Sequence, residues 1–247
     1  MVLPDLSARA ADLQTIKRRG HLVVAVKDNL PPLGFRDVNG RVEGFEIDLA
    51  RQIAKELLGN SSAVDFKPVS NQERLNSVLR GDVDLAIAQV TLTPSRLRVV
   101  SFSFPYYKDG VAIATQAPSV QSLANLTGRR IAVLNSSSTV EVLRRQLPTA
   151  ILVPVNSYQA AREAVDTGQA IAVAADASVL VGWTRQFSQF RLLSPLLSAH
   201  SLAIVLPKGQ QYEALREEVN QIVSRLSSSG WLQERANYWG LPRNLSF

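Results

Sequence analysis

The chain has 247 residues, with 27 Lys+Arg against 21 Asp+Glu, two His and no Cys. That length suits two domains of about 100–150 residues each, and 46% hydrophobic with 19% charged residues supplies real cores rather than a disordered polyampholyte. The missing Cys excludes a disulfide framework, a Cys-ligated zinc and a thiol nucleophile, while His21 and His200 alone leave no His-rich metal site and little room for a Ser–His–Asp triad.

In chain order, Lys17-Arg18-Arg19 reads as the basic end of a helix, since no aromatic residue interleaves it as in a nucleic-acid patch. Leu22–Val26 is a buried strand. Ile47, Ala50, Ile53, Ala54, Leu57 and Leu58 keep helical spacing up to a stop at Gly59. Ser70-x-x-Glu73 predicts a capping box for a helix ending at Gly81, and Asp84–Ala88 is the next strand. The rhythm restarts with strands at Val111–Ala114 and Arg130–Leu134. A second capping box is expected at Ser138-x-x-Glu141, then a strand at Ile151–Val153 and a helical face of Tyr158, Ala161 and Val165 that stops at Gly168. Strands at Ile171–Ala175 and Leu202–Leu206 and an amphipathic helix through Leu215, Val219, Ile222, Val223 and Leu226 complete the chain. Alternating strands and helices predict an α/β protein of two similar lobes.

The net charge of +6 divides evenly, because residues 112–200 carry 7 Lys+Arg against 4 Asp+Glu and the remainder 20 against 17, +3 each. Neither part is basic enough to point to a nucleic-acid partner. No stretch reaches the ~18 apolar residues of a membrane span, Ala170 to Trp183 being cut by Asp176. Met1 to Asp5 lacks the features of a signal peptide, so a cytoplasmic chain and a trimmed extracytoplasmic one are both open.

Ligands of open α/β sheets bind outside the carboxyl ends of strands, and three such junctions carry chemistry. After Asp84–Ala88 come Gln89, Thr91, Thr93 as N-cap, Pro94 at the first helical position and Arg96 in the first turn. A guanidinium there opposes the helix dipole and suits a carboxylate held by two parallel hydrogen bonds, or pairs with a nearby acid. After Ile131–Leu134, Ser136, Ser137 and Ser138 either make an anion site at a helix N-terminus or form a plain capped turn. Asp176 either caps the helix of Val179, Leu180 and Trp183 or holds an ammonium group. Together these offer two anion sites and one cation site, which fits a zwitterionic amino acid. No phosphate loop, general acid/base pair or metal spacing competes.

The sequence resembles the periplasmic amino-acid-binding proteins of ABC importers. The resemblance is carried by Pro31-Pro32-Leu33-Gly34-Phe35, Gly44-Phe45-Glu46-Ile47-Asp48-Leu49-Ala50, Leu79-Arg80-Gly81-Asp82-Val83-Asp84, Thr91-Leu92-Thr93-Pro94-Ser95-Arg96 and Leu126-Thr127-Gly128-Arg129-Arg130-Ile131-Ala132-Val133 in that order. It implies a two-lobed periplasmic-binding-protein-like fold of type II, with the ligand in the interlobe cleft. Lobe 1 would be discontinuous, 1–111 and 201–247, and lobe 2 would be 112–200. It further implies that Arg96 takes an α-carboxylate, with Thr91 and Gln89 assisting and Ser137 and Ser138 approaching from lobe 2, while Asp176 takes the α-ammonium. The family usually has Gly where Ser136 stands.

Side-chain selectivity is expected from Lys27 and Arg74, which match basic positions of glutamate- and aspartate-binding members. Two cations favour an acidic side chain, so Glu or Asp is expected first and Gln or Asn second. Asp28 keeps a basic ligand open, and Phe35 is either a pocket wall or core packing. The implied protein is an extracytoplasmic, monomeric transport protein without cofactor, metal or catalysis that delivers its ligand to membrane permease subunits. The alternatives are a receptor's sensing domain and a cyclohexadienyl dehydratase-like enzyme.

Overall fold

The computed structural model describes residues 10–242. In chain order its elements are α1 (Leu13–Arg19), β1 (Leu22–Val26), β2 (Asn29–Leu30), β3 (Gly34–Arg36), β4 (Val42–Glu43), α2 (Phe45–Leu58), β5 (Val64–Pro68), α3 (Glu73–Arg80), β6 (Leu85–Ile87), α4 (Pro94–Leu97), β7 (Ser101–Asp109) and β8 (Val111–Thr115). There follow β9 (Arg130–Leu134), α5 (Thr139–Gln146), β10 (Ile151–Val155), α6 (Tyr158–Asp166), β11 (Ala172–Asp176), α7 (Ala177–Gln186), β12 (Arg191–Leu193), β13 (His200–Leu206), α8 (Glu213–Ser228) and α9 (Trp231–Tyr238). The described residues form two compact units, 10–107 with Ser201–Trp239, and Lys108–His200 with 240–242.

The first unit is built on a five-stranded sheet of order β5-β1-β6-β13-β7, with a small antiparallel sheet β2-β3-β4 beside it. β1 runs parallel to both β5 and β6, so the carboxyl ends of β1 and β6 share one edge, with Val26 opposite Ile87. α2 buries Phe45, Ile47, Leu49, Ala50, Ile53 and Ala54, the helical stripe expected from the sequence, and Gly59 ends it at φ 78. α1 closes at Gly20 with Lys17, Arg18 and Arg19 in its last turn, where they complement the carbonyl end. Gly34 is sterically required, since a Cβ there would lie 2.5 Å from the Lys27 carbonyl oxygen. β5 escapes the sequence pattern because it is a partly exposed edge strand with a mixed face.

The second unit is a five-stranded sheet of order β10-β9-β11-β8-β12. β9 runs parallel to β10 and β11, and β8 antiparallel to β11 and β12. Its core gathers Val111, Ile113, Leu126, Ile131, Val133, Leu143 and Leu193. The fully buried β8 and β11 read as continuous apolar runs, as central strands should.

Both expected capping boxes need correction. α3 begins at Glu73, whose N–H donates to Ser70 Oγ at 3.3 Å, but Gln72 is the N-cap. Ser138 precedes α5 without a side-chain cap bond, and Ser137 Oγ accepts from Thr139 N at 3.2 Å instead. A true capping box joins Ser122 and Asn125 at the short 3-10 helix Leu123–Leu126. Here the reciprocal acceptor is Asn125 Oδ1, which accepts from Ser122 N at 3.0 Å, so a search for acidic third positions passes over it.

Candidate functional site

At the strand-end edge of the first unit, the turn after β6 carries Gln89 and Thr91, both buried. Gln89 sits at φ 54, a left-handed conformation that costs a non-glycine residue roughly 1–2 kcal/mol. Its neighbours account for the persistence of that geometry. Glu46, on the buried face of α2, accepts from Gln89 N at 2.7 Å and from the Tyr106 hydroxyl at 2.5 Å, both on Oε1. From α3, Arg74 Nη1 donates to the carbonyls of Ala88 at 3.1 Å and Gln89 at 2.6 Å, and its Nε donates to Asn71 O at 3.1 Å. The turn is thus gripped at its N–H by a carboxylate and at its carbonyls by a guanidinium. Thr93 caps α4 by accepting from Arg96 N, Pro94 opens the helix, and Arg96 Nη1 donates to Thr91 O at 2.8 Å. The expected capping of this turn is met in full.

Lys27 follows β1 and is also buried, its Nζ donating to Val69 O at 2.8 Å. Burial, and then the nearby Arg74 charge, hold its ammonium down at about 8, with Asp28 and Glu46 pulling the other way. Burial raises the Glu46 carboxyl above the ordinary range, opposed by Tyr106, the Gln89 N–H, Arg74 and Lys27. Asp28 pairs with Arg36 at 3.0 Å. Phe35 is half-buried and meets Trp239 edge to face at 5.8 Å, and the Trp239 indole N–H donates to Asp48 at 2.8 Å. Its packing partner is therefore the carboxyl end of α9.

In the second unit the adjacent parallel strands β9 and β11 bring the serine turn and Asp176 to one sheet edge, with Ala174 level with Val133. Ser136 lies at φ 58 and so supplies the left-handed turn that glycine would. Ser137 Oγ donates to Thr139 Oγ1 at 3.0 Å. Asp176 is the N-cap residue of α7, yet its side chain makes no cap hydrogen bond there. Asp109, fully buried at the end of β7, accepts from Ser178 N at 3.2 Å in its place, and also from Gly110 N and the Ser178 hydroxyl. The Asp176 carboxylate, almost buried, lies 3.2 Å from His200 Nε2.

Sequence reasoning did not single out Tyr106, Asp109 or His200 as site residues, nor the role of Glu46. A signal existed for Glu46, since it shares a helical face with Ala50 and Ile53 and so marks a carboxylate on an apolar stripe. Asp109 gives no such sign, because its partners are Ser178 on α7 and the cluster at the start of β13.

Two α/β units, each presenting polar groups at the carboxyl edge of its sheet, define the solute-binding class of protein. The chain belongs to the bacterial extracellular solute-binding proteins, family 3, whose description matches residues 22–242. It is 29% identical over 230 residues to the ABC transporter glutamine-binding protein GlnH of Bacillus subtilis (strain 168), covering 92% of this chain and 84% of that one. It is 30% identical over 203 residues to a glutamine-binding protein of Geobacillus stearothermophilus, covering 81% and 78%. The solute receptor for L-cysteine of Neisseria gonorrhoeae superposes with a TM-score of 0.84 at 26% identity, covering 94% of both chains. The fold is that of the two-lobed amino-acid-binding proteins, as the resemblance implied, and these relatives are binding proteins. Among the described residues no helix is long and apolar enough to cross a membrane.

Proposed function

We propose that this protein captures an L-amino acid whose side chain ends in a carbonyl acceptor, the class of Glu, Asp, Gln and Asn, and delivers it to an ABC importer without reacting with it. The observation that carries the reading is the placement of opposite charges: a guanidinium, Arg96, at the strand-end edge of one unit, and a carboxylate not used for capping, Asp176, at that of the other. In this reading Arg96, Thr91 and Gln89 take the α-carboxylate with Ser137 and Ser138, and Asp176 takes the α-ammonium. Relatives named for glutamine support the same ligand class.

The side-chain end follows from charge. Lys27 and Arg74 are both buried near the edge of the first unit, against one buried carboxylate, Glu46. A further cation there would be repelled. Asp28, which kept a basic ligand open, is engaged by Arg36. Arg74 donates to three backbone carbonyls, so its contribution is a positive field and a rigid turn; amide and carboxylate side chains are then both accepted. Phe35 acts by bracing Trp239. The protein works outside the cytoplasmic membrane as a monomer that meets permease subunits. Calorimetry with the twenty L-amino acids tests this: the tightest binders should be Glu, Gln, Asp or Asn. Tight arginine binding with no heat from those four would overturn it.

A further inference from the structure

Asp109, Asp176 and His200 converge in the second unit, each offering one ligand atom within 4.8 Å of the others. They come from three separate elements, the end of β7, the end of β11 and the start of β13. Asp109 is fully buried, and Asp176 and His200 are nearly so. Such a cluster resembles a metal site in composition. However, both Asp109 oxygens already accept from Ser178, and one also from Gly110 N, so Asp109 is engaged in its own hydrogen bonds. Its arrangement instead suits one cation at Asp176.

We propose that Asp109 and His200 are positioning residues for Asp176, and that they make amino-acid capture proton-linked: the arriving ammonium expels a proton from the three-residue cluster. This rests on the reading of Asp176 as the ammonium site. Asp109 accepts from the Ser178 N–H in the first turn of α7, and the Asp176 side chain makes no cap hydrogen bond there. His200 Nε2 lies 3.2 Å from one oxygen of the Asp176 carboxylate.

The proton linkage follows from charge crowding. With both carboxylates ionised and His200 neutral, the cluster carries two negative charges in a buried space, and a proton on any member relieves the repulsion. Burial, then the Asp176 charge, push the Asp109 carboxyl up to about 7, against the pull of the Ser178 hydroxyl, His200 and the Gly110 N–H. A ligand ammonium supplies the same relief and makes the proton redundant. The free protein therefore holds more protons than the bound one near neutrality, so affinity must rise with pH through that window and fall in acid. On the elements of the second unit that carry and flank the cluster, β8 has no charged residue, β11 has Asp176, Lys108 is exposed, and Arg185 lies about two and a half turns along α7.

The test is calorimetry on the whole chain, titrated with L-glutamine, L-glutamate and L-arginine in two buffers of different ionisation enthalpy between pH 5.5 and 7.5. Wild type should release about half to one proton per ligand near pH 6.5, with affinity rising roughly 10- to 50-fold across the range. Asp109→Asn keeps an oxygen for the Ser178 and Gly110 donors, and His200→Gln tests the same linkage should the buried Asn disturb folding. Both should still bind, with release cut by half or more and a flatter pH profile. Binding without buffer dependence, or release unchanged in either variant, overturns the linkage while leaving the ammonium site standing. Wild-type affinity in Asp176→Asn, or no heat from any of the three ligands, overturns the site and the linkage together.

Discussion

Arg74 is the residue to which the structure adds most, three bonds to backbone carbonyls, and Arg74→Met isolates what they do. The guanidinium is 3% exposed and donates to three backbone carbonyls, at 3.1, 3.1 and 2.6 Å. Hydrogen bonds from a charged donor contribute about 1.5–3 kcal/mol each, a gross loss of roughly 5–9 kcal/mol. Removing a buried cation that sits beside Lys27 recovers part of this as relieved desolvation and repulsion, leaving a net cost of about 2–4 kcal/mol. At about 2–4 °C per kcal/mol for a chain of this size, the midpoint should fall by roughly 5–15 °C. Urea unfolding gives the first number and calorimetry the second half of the argument. Because Arg74 acts through the Gln89 turn, its loss should weaken glutamate and glutamine by similar factors. A stable variant that loses at least tenfold for glutamate and nothing for glutamine would refute the scaffold role and make Arg74 a reader of side-chain charge.

Three further outcomes follow from strain and burial. Ser136→Gly should stabilise the second unit by about 1 kcal/mol in urea unfolding, because φ 58 is natural for glycine and strained for serine; a destabilised variant would show that the Ser136 side chain makes an unseen contribution. Lys27 has a folded value of about 8 against 10.5 free, so the unfolded chain binds more protons between those values and stability from this group rises with pH across that window. Lys27→Met should remove that rise, and an unchanged stability profile from pH 8 to 10.5 would count against the burial argument. Glu46 is shifted the other way: the folded state keeps its proton above the unfolded value of 4.5, so its contribution to stability falls as pH rises. Glu46→Gln, which keeps an acceptor for Gln89 N and Tyr106, should flatten that decline, and a steeper decline would contradict it.

Local chemistry made much of this protein legible before any coordinates. The stripe on α2, the apolar runs of β1 and β11 and the Thr93–Pro94 start of α4 are read at short range, and they form as expected. Asp176 and Arg96 stood out because strand-end polar groups are few and their surroundings apolar. What stayed hidden depends on long-range company. Arg74 and Lys27 read from the sequence as two ligand-facing cations, and the backbone carbonyls that each also binds were not legible there. Asp176 could equally have been a helix cap until Asp109, 67 positions earlier, was found doing that work. Ser136 in a glycine's place left the turn geometry open, and its backbone adopts the glycine conformation nonetheless.

The central claim is that one amino acid is held at both of its charged ends. Blocking each end in turn tests it most directly: calorimetry of the wild-type protein with its tightest-binding L-amino acid, with the N-acetyl derivative and with the α-carboxamide. Each blocked form should lose at least about 100-fold in affinity, near 3 kcal/mol, as expected when one member of a buried charge pair is removed. N-acetyl and free amino acid binding equally well would contradict the role of Asp176, and an undiminished carboxamide would contradict that of Arg96.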